Sequence, residues 1–183
     1  YSNTKSISVD KKMPDMLEIA LAGSLDDKFN FIKENAEKDL SVLDFFKEGL
    51  VDIRAVSKGF GTQGPVARFG IGLKNQKSEK GRRRPGSLGP WHPARVTFRV
   101  SQTGQTGYHS RIEFNKLIIM AGKTSERNIN IPSGFEHYGN LKADYLLLKG
   151  SIPGPHKRGI LMTTSSRPTK SAAKEKYSVL ELR

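Results

Sequence analysis

Cysteine is absent from this 183-residue chain, which removes disulfides, cysteine-ligated zinc, iron–sulfur clusters and thiol nucleophiles together. No apolar run approaches the ~18 residues that a membrane-spanning helix needs. The start, Tyr1-Ser2-Asn3-Thr4-Lys5, is too polar for a secretory signal, so a cytoplasmic address is expected. Its first residue, Tyr rather than Met, suggests a fragment or a processed chain. Hydrophobic residues make up only 36%, enough for one domain, or for one small domain with an extension outside its core. Acids are scarce where bases are dense. Between Arg54 and Arg111 stand twelve Lys or Arg residues and one acid, Glu79.

The net charge of +13 is therefore uneven. Residues 1–52 hold seven bases and eleven acids, or −4, whereas residues 53–183 hold twenty-four bases and seven acids, or +17. A cationic stretch of one sign needs a polyanion to be ordered, and phosphate backbone is the commonest such partner. The densest part is Lys80-Gly81-Arg82-Arg83-Arg84-Pro85-Gly86-Ser87-Leu88-Gly89-Pro90-Trp91-His92-Pro93, which ends near the chain's one Trp.

Hydrophobic periodicity places the regular elements. Met16–Leu21 is a short apolar run stopped by Gly23 and predicts a strand. Ser24 with Asp27 forms a capping signature before Leu25, Phe29, Ile32 and Ala36, so a helix is expected over 25–38. Ser41 repeats the cap ahead of Leu43, Phe45 and Phe46. Val51, Ile53 and Ala55 alternate as in a strand. Between Lys58 and Pro93 neither period survives. Alternation returns at Val96–Val100, Ile112–Phe114, Leu117–Met120, Tyr145–Lys149 and Ile160–Met162. The tail from Ser165 reads as mobile, with Tyr177–Leu182 able to pair. Short strands at this spacing predict a mainly β fold.

Candidate chemistry is sparse. Gly59-Phe60-Gly61-Thr62-Gln63-Gly64 spells GxGxxG, but Gly70 and Gly72 would end any helix opened by Pro65, and the one nearby acid is Glu79. These glycines read better as backbone able to approach phosphates, flanked by Lys58 and Arg68. The histidines at 92, 109, 137 and 156 lack helical metal-site spacing. Asp26 and Asp27 sit at a helix start, where capping and the macrodipole explain them. The segment Gln102–Arg111 offers Gln105, Tyr108, His109 and Arg111, groups able to stack on bases and to donate to phosphates or 2′-hydroxyls.

Lys58-Gly59-x-Gly61-x-x-Gly64, Arg68, Gly86-Ser87-Leu88-Gly89-Pro90-Trp91-His92-Pro93-Ala94 and Gly104-Gln105-x-Gly107-Tyr108-His109-x-Arg111 together resemble ribosomal protein L3 of the large subunit, in its archaeal and eukaryotic form. Asp15–Ile19, Gly134-Phe135-x-His137-Tyr138-Gly139 and Leu148-Lys149-Gly150-Ser151-Ile152-Pro153-Gly154 agree, in collinear order. The resemblance implies a β-barrel of the translation-protein type with one or two helices near the amino terminus and a long basic extension. Family members of this type carry strands before the equivalent of Met16, so here the barrel is expected to be incomplete. Residues 1–57 and 94–164 would form the barrel domain, with a helical insertion at about 24–47. Residues 58–93 would form the rRNA-penetrating extension, and 165–183 a tail.

The resemblance further implies a structural, non-enzymatic protein that binds large-subunit rRNA and neighbouring ribosomal proteins. It would place its extension near the peptidyl transferase centre, supporting assembly and tRNA accommodation. Trp91 and His92 would mark the loop near incoming tRNA, with Arg82, Arg83 and Arg84 as the cationic stem. Gln105 lies in the segment that bacterial relatives methylate at a glutamine. The expected rRNA-binding set is Lys58, Arg68, Lys74, Lys77, Lys80, Arg82, Arg83, Arg84, Trp91, His92, Arg95, Gln105, Tyr108, His109 and Arg111. Neither cofactor nor protein-bound metal is expected, with Mg2+ present only as an rRNA counter-ion. Membrane, small-molecule substrate and homo-oligomer are not expected either. A phosphate-ligand-binding β-barrel enzyme and a free-standing RNA chaperone are the alternatives from other classes.

Overall fold

A computed structural model describes residues 1–4, 7, 9 and 11–181. It divides into two compact units, Tyr1–Ala55 with Arg111–Arg183, and Val56–Ser110.

The first unit is built on β1 (Gly49–Val56), β4 (Ser110–Gly122), β5 (Tyr145–Leu148) and β6 (Leu161–Thr164), ordered β5-β4-β1-β6. β6 lies antiparallel on β1 with Met162 opposite Ile53, and β5 antiparallel on β4 with Leu148 opposite Ile118. The fold is mainly β as expected. Its described strands make an open sheet rather than a closed barrel, because β5 and β6 have one strand neighbour each. Val51, Ile53 and Ile118 form the buried cluster, with Phe46, Leu146, Leu148 and Met162 packed against it. Burying each such side chain contributes about 1.5–3 kcal/mol. The alternation of Val51 and Ile53 is what a sheet face needs, so β1 lies where the sequence predicts it.

Between them, Asp52 is also buried, at 1% exposure. Its Oδ1 accepts from the Asn115 amide at 3.0 Å, and its Oδ2 accepts from the Ser166 amide at 2.9 Å and the Ser166 hydroxyl at 3.0 Å. Burial pushes this carboxyl up, and the donors at Ser166 and Asn115 outweigh it, so its pKa lies below the ordinary Asp value. Asn115 reaches Asp52 from a left-handed kink in β4 (φ 59°) and is itself held by Ser165 and Thr169. One carboxylate thus ties β1 to β4 and to the chain leaving β6.

The expected helix is α1 (Leu25–Asn35), shorter than 25–38, and it carries the full capping box between Ser24 and Asp27. Two predicted strands are not formed. Met16–Leu21 is non-strand chain, exposed except for a half-buried Leu21, and Val96–Val100 turns at Thr97 and leaves Phe98 fully exposed. A run of apolar residues becomes a strand only when a partner accepts from its backbone N–H groups and donates to its C=O groups, and among the described residues neither run has one. The tail is anchored at its start by Ser165, Ser166 and Thr169, and again further along at Lys149. It carries α3 (Lys170–Lys174), followed by Glu175, whose Oε2 lies 2.6 Å from Lys149 Nζ, and Tyr177, whose ring lies 4.7 Å from it. Tyr177–Glu181 is not strand, and Leu182 lies outside the described residues.

Candidate nucleic-acid interface

The second unit, Val56–Ser110, carries ten Lys or Arg residues and one acid, a net +9, on a scaffold of two short strands and one short helix. β2 (Gly59–Gln63) pairs antiparallel with β3 (Gly104–Gly107), with Thr62 opposite Gln105, and α2 (Pro65–Phe69) follows β2. Neither strand shows apolar alternation because half of their residues are glycine or small. Glycine is also what lets the two backbones meet. A Cβ on Gly107 would lie 2.0 Å from the Lys58 carbonyl oxygen, which accepts from the Tyr108 amide at 3.1 Å. Ser57 and His109 close the ribbon, the Ser57 amide donating to His109 O at 2.9 Å and the His109 amide to Ser57 Oγ at 3.2 Å. Of the GxGxxG glycines, Gly59 and Gly61 are therefore strand residues and Gly64 is the N-cap of α2, which ends as expected at Gly70 in the left-handed conformation.

The expected contact residues are placed differently from one another. Arg68 is built into the scaffold. Its Nη1 donates to Gln102 O at 3.0 Å, its guanidinium lies 5.1 Å from the Phe69 ring centre, and it packs so closely on Gly104 that a Cβ there would sit 2.7 Å from Nη1. Lys74 and Arg82 close a loop around Lys77 and Lys80. The Lys74 amide donates to Arg82 O at 3.1 Å, and Arg82 Nε donates back to Lys74 O at 3.1 Å. Lys77 is fixed through its amide to Asn75 Oδ1 at 3.2 Å.

Arg83 and Arg84 line a cleft of about 390 Å³ with Pro65, Pro85, Ser101, Gln102 and Thr103. The charge pattern of the sequence marks the two arginines, whereas nothing in it pairs them with Ser101 and Thr103, which lie 17 or more residues further along the chain. Gln105 turns back on its own strand, its Nε2 within 3.4 Å of the Thr106 and Gly107 carbonyls. Tyr108 and His109 sit exposed beyond β3, Arg95 lies in an exposed loop, and Arg111 belongs to β4 in the other unit.

Trp91 is 88% exposed, beside an exposed His92. A core Trp would lose about 3–5 kcal/mol on truncation. Trp91→Ala is instead expected to leave the free energy of urea unfolding within about 0.5 kcal/mol of the parent. The ring is free to stack, and base–aromatic stacking is worth about 1–3 kcal/mol per base.

Elsewhere, in the first unit, the His137 and His156 rings lie 5.8 Å apart and His137 Nε2 is 3.2 Å from Glu136 Oε1. No group of three or more His, Cys, Asp or Glu side chains is arranged around a metal-sized site among the described residues. No described helix is long and apolar enough to cross a membrane.

The family model described as "Ribosomal protein L3" matches residues 1–182. Three relatives named "Large ribosomal subunit protein uL3" are similar over most of this chain. That of Methanocella arvoryzae is 44% identical over 164 residues, 87% of this chain and 48% of the relative. That of Methanothrix thermoacetophila is 44% identical over 176 residues, 94% of this chain and 52% of the relative. That of Methanothermobacter thermautotrophicus is 43% identical over 173 residues, 91% and 51%. The chain spans about half the length of the curated relatives it matches.

Proposed function

Because the chain belongs to the ribosomal protein L3 family, we propose that it is a structural constituent of the large ribosomal subunit, held there by rRNA and by neighbouring ribosomal proteins in the cytoplasm. The observation that carries the reading is the +9 charge of a unit with a single acid, whose one Trp is exposed. Crowded phosphates would be neutralised by Lys58, Lys74, Lys77, Lys80, the arginines at 82–84, Arg95 and Arg111. Residues 58–93 would act as the extension that runs toward the peptidyl transferase centre, with Trp91 and His92 at the tRNA accommodation path. Residues 1–57 and 94–164 would make up the barrel domain, with 165–183 as its tail. The reading asks no catalysis of the protein, and Mg2+ enters only as a counter-ion of the rRNA. The rival phosphate-binding enzyme would need an acid near α2, and α2 itself contains none.

Two measurements test this. In a sucrose gradient of lysate the chain should travel with large subunits and stay with them in high salt, where a free-standing RNA chaperone would be released. With purified chain, affinity for an rRNA fragment should fall by about 10³–10⁵ between 50 and 200 mM salt if about 6–10 phosphates are neutralised. A flat response would mean that the cations are a solvated face.

A further inference from the structure

Arginines 82, 83 and 84 are equivalent in the sequence and unlike one another in the structure. Arg82 spends its Nε on the Lys74 carbonyl. Arg83 and Arg84 make no hydrogen bond or ion pair with the described residues, and both line the cleft together with Ser101, Gln102 and Thr103, which contribute one stretch of its wall. No acid lines it. That wall is held by Arg68, which donates to the carbonyl of Gln102, the residue between the two hydroxyls, and fills the space over Gly104. Pro65 and Pro85 complete the cleft with apolar rings that have no rotamer entropy to lose on binding.

We infer that this cleft is a built seat for one phosphodiester of an RNA strand, with Arg83 and Arg84 as its cations, Ser101 and Thr103 as its neutral donors, and Arg68 as a positioning residue that touches no phosphate. The inference rests on the rRNA-binding reading and sharpens it. Guanidinium groups match phosphate oxygens in a fork geometry that an ammonium group lacks, and hydroxyls lining the same cleft can supply donors that carry no net charge. The volume suits a single nucleotide unit rather than a duplex, being near the lower end of small-ligand sites. The remaining bases of the unit then supply the general attraction, and the cleft fixes where one strand sits.

Charge and hydrogen bonding leave different marks on salt dependence, so the roles separate in one experiment. The full chain is titrated with a fluorescein-labelled oligouridylate across a salt series, reading anisotropy. Arg83→Ala with Arg84→Ala should lower the slope of log affinity against log salt by about 0.7, since the cleft seats one phosphate and each single-strand phosphate contributes about that much. Ser101→Ala with Thr103→Val should weaken binding about tenfold at every salt concentration without changing the slope. Arg68→Met should also weaken binding at constant slope, whereas a phosphate contact at Arg68 would lower it by about 0.7.

Unchanged affinity in the Ser101/Thr103 variant overturns the cleft and leaves rRNA binding standing. Failure of the parent chain to bind any RNA removes the broader reading instead. Inorganic phosphate that displaces the oligonucleotide at submillimolar concentration overturns the phosphodiester assignment in favour of a free-anion pocket. Should a variant unfold, the amide resonances of Ser101–Gly104 in the parent chain decide: they move with the oligonucleotide if the cleft is occupied and stay still if it is not.

Discussion

Gly107→Ala should cost the second unit more than about 3 kcal/mol and open its β2–β3 ribbon. Two penalties coincide at this residue. Its φ of 70° lies in the left-handed region, where a side chain costs about 1–2 kcal/mol, and its new Cβ would stand 2.0 Å from the Lys58 carbonyl oxygen. The neighbour is backbone and is already an acceptor for the Tyr108 amide, so it has no rotamer through which to yield. Gly61→Ala is the control. It has nearly the same φ, 67°, with nothing within 4 Å of its Cβ, so it should show the conformational penalty alone. Amide exchange at Thr62 and Gln63 reads the outcome. Fast exchange in Gly107→Ala with protection largely kept in Gly61→Ala is expected, and equal protection in both would mean that the ribbon is not closed at Lys58.

Everything from Gly64 to Thr103 lies between those two strands in the chain, so the ribbon is the base on which the basic segment is presented. Its effect on RNA binding should therefore exceed that of any single arginine. Gly104→Ala makes a useful contrast, since its Cβ meets the mobile end of Arg68 rather than backbone. The guanidinium can swing aside, and that variant should fold while losing the wall of the cleft.

What could be read in the sequence follows from which interactions leave a periodic trace. Val51 and Ile53 announce β1, and Leu117 to Met120 and Tyr145 to Leu148 announce β4 and β5, because one face of each strand must be apolar to be buried. Ser24 and Asp27 announce α1 because capping is chemistry between residues three apart. The β2–β3 ribbon leaves no such trace. It is held by backbone bonds and close approach at glycines, and a glycine records neither face of a strand. Met16–Leu21 and Val96–Val100 show the converse. Both have strand-like composition, and composition does not supply a partner.

The cations of the interface were legible as a count, Arg54 to Arg111, because net charge is additive along a sequence. Their different roles were not. Whether Arg68 is a scaffold residue and Arg83 a free cation depends on Gln102 and Gly104, which lie far from both in the chain. Family resemblance carried the remaining inference about partners, since charge alone names a polyanion and not the ribosome.

Asp52 is the other residue whose role leaves no trace in the sequence pattern, and its replacement should be the most damaging change in the first unit. Asp52→Ala leaves the amides of Asn115 and Ser166 and the Ser166 hydroxyl without their acceptor. Each buried unsatisfied group costs about 1–3 kcal/mol, so a loss of about 3–5 kcal/mol is expected by urea unfolding at neutral pH. Asp52→Asn should lose nearly as much, because its amide nitrogen would face a donor. The parent chain adds a pH signature. The folded carboxyl titrates below its ordinary value of 3.8, so the unfolded state binds the proton more readily. The resulting stability is complete above that ordinary value and is lost as pH falls through the lower folded pKa. Asp27 and Glu175, also lowered, contribute acid sensitivity of the same sign, so the informative quantity is a difference. Between neutral and strongly acidic solution, Asp52→Asn should lose less stability than the parent does. An equal acid loss in both would show that Asp52 is not the charged centre joining β1, β4 and the chain beyond β6.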